Sequence, residues 1–326
     1  MIRLVPKRLR DFFGRGFKPF QFGLVEAFIF RLLTAVTIFL LSTVEQPNKE
    51  SLPLPGEFHL PDQPNPNGIA HLIDITWISD PAIYPKVYYA MVALAVAYVI
   101  GIGLPVILPL LAGLHILIFT LANSQGAIGH DNQILSIVLL AQAVAVCLPH
   151  LFARRGWNLP QCTDTSRISI RDFMLNTTLQ VIAACYVVTG LAKLFESKGL
   201  WVWQTPDLVV EIVKTNHQRG YTKALEAGAS IDQADTIAFM TDHPWLTRLF
   251  LGGGFFFELF AFMALYNRLW ALVFGLGLFA MHRCILWLMK LGFPENERLL
   301  IIYLINIPFW IILITGFRKR DRTAAS

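Results

Sequence analysis

Apolar runs close to the length of a bilayer crossing recur along this chain, at 23–43, 87–103, 104–121, 133–151, 173–194, 249–266, 269–289 and 299–316. A helix of about 20 apolar residues spans the hydrocarbon layer. Backbone amides that meet no water must be satisfied internally, which leaves helices or closed barrels as spanning structures. Runs this long favour helices. The expected fold is therefore all-α, a polytopic integral membrane helix bundle of about eight transmembrane helices with a partly helical outer loop. Composition agrees: 55% of residues are hydrophobic and 15% charged, with a mean hydropathy of +0.54, against roughly 25% charge in soluble domains. The runs at 87–103 and 104–121 are short and meet at Gly101–Pro105, which reads as a tight hairpin. The first run is too long for a signal-peptide core, and no small-residue cleavage site follows it.

Basic residues orient the spans, because they concentrate in cytoplasmic loops. They gather in the segment 1–20 (Arg3, Lys7, Arg8, Arg10, Arg15, Lys18), after the fourth span (Arg154, Arg155, Arg167, Arg171), at Arg268, and in the tail 318–326. Eight spans put all four regions on one face, with both termini cytoplasmic and a transmembrane domain over 21–317. The loops 44–86 and 195–248 lean acidic and fall outside. The first, rich in proline and asparagine, reads mostly as extended coil. The second is long for a structureless connection. It is expected to form short helices at Pro206–Asn216 and Thr222–Ala227, and another over Thr236–Met240 entered from Asp232 and Asp235. Trp201 and Trp203 suit an outer aromatic belt.

Several ionisable residues interrupt the outer ends of the spans. Gly129-His130-Asp131-Asn132-Gln133 precedes the fourth span; Lys193 closes the run Val181–Leu194, with Glu196 beyond it. Glu258 sits halfway along an aromatic helix, and His282 and Arg283 lie in the seventh span, with Lys290 at its end. Such groups cost several kcal/mol inside a membrane unless paired or hydrated, so Glu258 and His282 need partners, Lys193 and Arg283 being nearest in depth. Each has a plain structural reading: Lys193 as a snorkelling anchor, His130 and Asp131 as loop residues, Glu258 in a structural ion pair, His282 as a satisfied core histidine. Arg31 and Glu26 read as an inner-leaflet pair. The chemical reading joins Lys193, His130, Asp131, His282 and Glu258 in one outward-facing polar pocket. A lysine withdrawn from water can act as a neutral base, whereas a carboxylate against it makes it a charge partner. The distance from Lys193 to Glu258 decides between them. No disulfide framework, metal-ligand spacing or nucleic-acid motif occurs.

Phe30-Arg31-Leu32, the His-Asp-Asn-Gln stretch, Tyr186…Gly190-Leu191-Ala192-Lys193-Leu194, His243-Pro244-Trp245-Leu246, Glu258 and Ala280-Met281-His282 occur in the order of a known family. The chain resembles, from about 20 to 316, the HTTM (horizontally transferred transmembrane) domain, the membrane domain of vitamin K-dependent gamma-carboxylase-like proteins. The resemblance implies an integral membrane enzyme using a reduced quinone, like vitamin K hydroquinone, with Lys193 as general base. In the carboxylase, O2 converts the quinol to an epoxide, and the strong base so formed removes a glutamate proton for CO2 addition. That chemistry takes place on the luminal side, which matches the outer face assigned from charge. The chain departs from the carboxylase in two places: Gln133 stands where the carboxylase has a histidine, and no large luminal region follows the helices. Shorter bacterial members, the SdpB-like proteins, imply an alternative in the bacterial inner membrane: a non-enzymatic factor for maturation or export of a small secreted peptide. A small DoxX-type quinone-reactive subunit also ends helices in lysine, but has about four spans. The expected partners are the lipid bilayer and a secreted peptide or partner subunit, and no nucleic acid.

Overall fold

The computed structural model describes residues 19–39, 68–124, 131–154, 169–219, 234–289 and 291–315. Among them every regular element is helical: α1 (Leu24–Phe39), α2 (Tyr84–Ile100), α3 (Leu104–Asn123), α4 (Asp131–Arg154), α5 (Ile170–Glu196), the single turn α6 (Trp201–Gln204), α7 (Val209–Arg219), α8 (Ala234–Asp242), α9 (Pro244–Leu259), α10 (Arg268–Met289), α11 (Pro294–Leu299) and α12 (Ile307–Thr315). Each expected span overlaps a helix, and among the described residues four helices are long and apolar enough to cross a membrane: Leu104–Asn123, Ile170–Glu196, Arg268–Leu288 and Pro294–Thr315. Tyr84–Ile100 and Gln133–Pro149 are apolar but shorter. The sixth expected span starts earlier, where Pro244 supplies a preset first turn, and stops at Leu259 before a 3-10 turn over Ala261–Leu265. Only 33% to 39% of the apolar windows in the four long helices is buried within the protein. Most of their surface is thus apolar and outward-facing, which suits lipid rather than water as solvent.

The chain forms two compact units, one of residues 1–182 with 294–326 and one of Ala183–Phe293, so their boundary falls within α5. In the first unit α2 and α3 make the expected hairpin. Gly101 (φ +86°) and Gly103 (φ +58°) both adopt left-handed backbone, which side-chain-bearing residues rarely tolerate. The Arg31 guanidinium packs against Gly101 and its Nε donates to the Val99 carbonyl at 3.1 Å. Glu26 instead accepts from Asn306 Nδ2 at 2.6 Å. The expected Arg31–Glu26 pair is therefore replaced by two separate contacts, because α2 ends beside Arg31 and its last carbonyls need donors.

The core of this unit is apolar around one polar chain. Thr34 Oγ1 and Tyr303 Oη are 2.7 Å apart, Gln142 Nε2 donates to Tyr303 Oη at 2.9 Å, and Tyr98 Oη donates to Gln142 Oε1 at 2.7 Å. All four side chains are fully buried, so the network ties α1, α2, α4 and the last span together where water cannot compete. That last span is not one continuous α-helix. After α11 it loosens into a π turn over Leu300–Ile305 and breaks at Asn306, which is left-handed (φ +51°). The Asn306 side chain serves both neighbours: its amide reaches Glu26, and its Oδ1 accepts from Phe309 N at 3.1 Å at the start of α12. Asparagine is among the few residues with a side chain that tolerate this backbone.

In the second unit the outer loop is folded, as its length implies. A 3-10 turn over Thr205–Leu208 runs into α7, and α8 begins at Ala234, so Asp235 lies in its first turn rather than capping it. Ile212, Met240, Leu251 and Leu288 form a small buried cluster beneath these helices. The expected helix at Thr222–Ala227 lies outside the described residues, as does Asp232. In the loop 44–86, the described part contains 3-10 turns at Gly68–His71 and Thr76–Ser79 instead of extended coil.

Candidate functional site

The site forms where α5 and α9 approach most closely. A Cβ added to Gly190 would lie 2.9 Å from Leu259 N and 3.0 Å from its Cα. Only a glycine lets the two backbones come this near, and it sets Lys193, three residues on, beside Glu258. Lys193 Nζ donates to both Glu258 oxygens, at 2.7 and 2.5 Å. The Glu258 side chain is 4% exposed and that of Lys193 24%. The carboxylate is thus enclosed while the ammonium keeps one open side. Past the end of α5 the chain reverses at Lys198 and Gly199, bringing the Trp201 ring over Lys193 Nζ at 5.4 Å from its centroid. This cation–π contact adds a second favourable neighbour for the ammonium.

Tyr186 precedes Lys193 by seven residues, two helical turns or about 10 Å along the same face of α5. Its hydroxyl lies 2.8 Å from His282 Nε2 on α10. The imidazole is buried, meets the Phe293 ring in a tilted contact at 5.2 Å, and its Nδ1 has no hydrogen-bond partner among the described residues. α10 is held against α9 at Gly254, where Met281 fills the space a side chain would need. Two polar pairs from three helices therefore line one face of α5, with the Trp201 ring at Lys193 and the Phe293 ring at His282. A buried charge inside an apolar helix pair needs such pairing. The pair can hold a proton on either partner, and His282 Nδ1 can meet a polar atom of a ligand.

Of the residues expected in one pocket, Lys193 and Glu258 are in direct contact and His282 is joined to the same helix through Tyr186. Asp131 opens α4 in the first unit; its side chain, with His130 and Lys290, lies outside the described residues. Arg283 packs over Phe279 at 5.4 Å, while Glu258 takes Lys193. Tyr186 was legible only as a motif member and Trp201 only as a residue of an aromatic belt, with no sign of the side chains they touch. A second group escaped notice: Glu295 and Glu297, in the first turn of the last span, are buried, with Arg298 NH1 3.4 Å from Glu295 Oε1. Acidic residues in PENER read as a solvated helix start, and nothing local signals burial.

The fold and site define an all-helical protein with, among the described residues, four helices long and apolar enough to cross a membrane and a lysine–glutamate pair whose carboxylate is enclosed and whose ammonium lies beside the Trp201 ring. Comparison of the chain with protein-family models, curated proteins and solved structures returned no match.

Proposed function

We propose that the chain is a multi-pass membrane enzyme related to the HTTM, gamma-carboxylase-like proteins, in which the Lys193–Glu258 pair manages a proton of a lipid-soluble reduced substrate. The carrying observation is the enclosed, doubly hydrogen-bonded pair with one side of the amine open. Two opposite charges removed from water are each expensive, and moving one proton from ammonium to carboxylate cancels both. The pair thereby offers a neutral amine without an outside acceptor, and reconciles Lys193 as base with Lys193 as charge partner. The donor set suits a reduced quinone: the open side of Lys193 lies beside the Trp201 ring, and the buried His282 Nδ1, beside Phe293, has no hydrogen-bond partner among the described residues. A reduced quinone would supply two electrons and two protons there. Tyr186 holds His282 in place, and Glu258 holds Lys193. In this reading eight spans place the pair near the outer face of a bacterial inner membrane, with both termini cytoplasmic.

The test is Lys193→Arg. Arginine keeps a charge and fits a carboxylate, but it does not give up its proton in proteins. Purified variant that folds like the parent should consume reduced quinone at less than about a hundredth of the parental rate, the scale of a lost general base. Unchanged consumption would sink the catalytic reading. A non-enzymatic role in maturing or exporting a secreted peptide gains support from a different observation, the folded outer loop with exposed Trp203 and Trp245. It predicts that Lys193→Arg is harmless while Trp245→Ala lowers peptide secretion.

A further inference from the structure

α6 is a single helical turn, Trp201–Gln204, yet three of its side chains are fixed against other elements. Trp201 covers Lys193. Val202 fills the space beside Gly252, where an added Cβ would lie 2.9 Å from Val202 Cγ1. This contact docks the turn on α9 and brings Trp203 to the start of that helix. There the Trp203 and Trp245 rings meet edge to face, their centroids 6.4 Å apart. The Arg248 guanidinium lies over both rings, with Cζ 5.2 Å from the Trp203 centroid and 5.6 Å from that of Trp245. Trp245 and Arg248, three residues apart on α9, share one side of the helix.

A guanidinium stacks on aromatic rings through its faces, while its N–H donors lie in the plane and match a phosphate or carboxylate bidentately. Stacking on the two tryptophans therefore leaves the in-plane donors to a ligand. Nε is enclosed without a hydrogen-bond partner, and no carboxylate lies within ion-pair distance of Arg248, among the described residues. The surroundings narrow the ligand. Before Pro244 the chain is polar (Thr241-Asp242-His243), and beyond Arg248 α9 is apolar down to Glu258. Trp245, Leu249 and Phe256 form one stripe along α9, and each is more than half exposed. Tryptophans at such a polar–apolar border suit the interface of a membrane. A half-buried arginine at the head of an exposed apolar stripe matches a molecule with an anionic head and hydrocarbon chains. A free anion would leave the stripe uncovered, and a neutral lipid would leave the guanidinium without a counter-charge.

We propose that Trp203, Trp245 and Arg248 form a site for the phosphodiester of an anionic glycerophospholipid, of the phosphatidylglycerol kind, whose acyl chains lie along Leu249 and Phe256. The site is separate from the Lys193 chemistry and stands without it. Native mass spectrometry of the full-length protein in detergent, titrated with phosphatidylglycerol, tests this. Diacylglycerol of the same chains and inorganic phosphate control for the chains and the anion alone. Phosphatidylglycerol should bind about tenfold more tightly than diacylglycerol, the scale of one hydrogen bond to a charged group, and inorganic phosphate should not compete. Arg248→Gln should weaken phosphatidylglycerol binding about tenfold, and Trp203→Leu and Trp245→Leu about threefold each, the scale of a cation–π contact. Arg248→Lys keeps the charge but loses the planar fork, so its affinity should fall between those of the parent and Arg248→Gln. Lys214→Gln removes an exposed cation elsewhere in the same unit and should change nothing. Thermal midpoints of the same preparations separate lost binding from misfolding, and Arg248→Lys carries the test if Arg248→Gln unfolds. Equal binding of diacylglycerol, competition by phosphate, or an equal loss in Lys214→Gln would overturn the proposal. So would an affinity indifferent to Arg248 and both tryptophans, which would leave the rings to a peptide partner.

Discussion

Lys193 and Glu258 depend on each other unequally. The carboxylate is enclosed and the ammonium partly open, so removing the lysine strands the more deeply buried charge. Breaking a buried pair from one side costs about 3–5 kcal/mol, whereas replacing both partners by apolar groups is often neutral. We expect Lys193→Ala to lower stability in detergent by that order, Glu258→Gln to lower it less, and Lys193→Met with Glu258→Leu to restore most of it. A denaturation series reads this directly; equal losses in both single variants, with no recovery in the double one, would contradict the asymmetry. This pairing was legible in the sequence because two opposite charges in apolar helices have few other ways to be satisfied. The choice between Lys193 and Arg283 was not legible. It rests on Gly190 bringing α5 against α9, a contact between residues 69 positions apart, Gly190 to Leu259.

At the level of elements, the same glycine is the position where one methyl group matters most. Gly190→Ala would press against helix backbone, which cannot rotate away as a side chain can. We expect about 1–3 kcal/mol of destabilisation, the usual range for overpacking, together with impaired function through displacement of Lys193 from Glu258. Gly253→Ala, which meets nothing within 4 Å, is the matched control. Asn306 is the second such position. Asn306→Ala removes one donor to buried Glu26 and the acceptor for Phe309 N, and places a Cβ-bearing residue without a compensating amide in left-handed backbone. We expect a loss of about 2–4 kcal/mol from the two lost hydrogen bonds, one of them to a carboxylate, and the strain together, with Asn306→Gly recovering the strain part only. The helices themselves were readable from apolar length. The π turn and break were not, because LLIIYLINIPFW reads as one uninterrupted span, and Pro308 only hints that α12 starts anew.

For the whole molecule, twelve helices appear among the described residues and four meet the length and apolarity of a membrane crossing. Composition and apolar length carried the all-helical fold class; they did not carry the helix lengths, which leave α2 and α9 short of a membrane crossing. The proposed topology has a direct check. In a cysteine-free background, Lys198→Cys should react with an impermeant maleimide on intact cells, and Gln21→Cys only after permeabilisation. Labelling of both from the same side would rule out the orientation that places Lys193 outside.

The two compact units are nested in the chain: residues 183–293 form one, and the other is completed only by 294–326. Until the last span leaves the ribosome, Thr34, Tyr98 and Gln142 lack the Tyr303 hydroxyl that joins them, and Glu26 lacks Asn306. The Lys193 half, by contrast, has all its polar partners translated by Phe293. The connectivity therefore lets residues 183–293 complete their polar contacts before the first unit can complete its own. A stop codon ahead of Tyr303 would spare the lysine–glutamate pair and take the Tyr303 hydroxyl from Thr34 and Gln142, residues translated long before it.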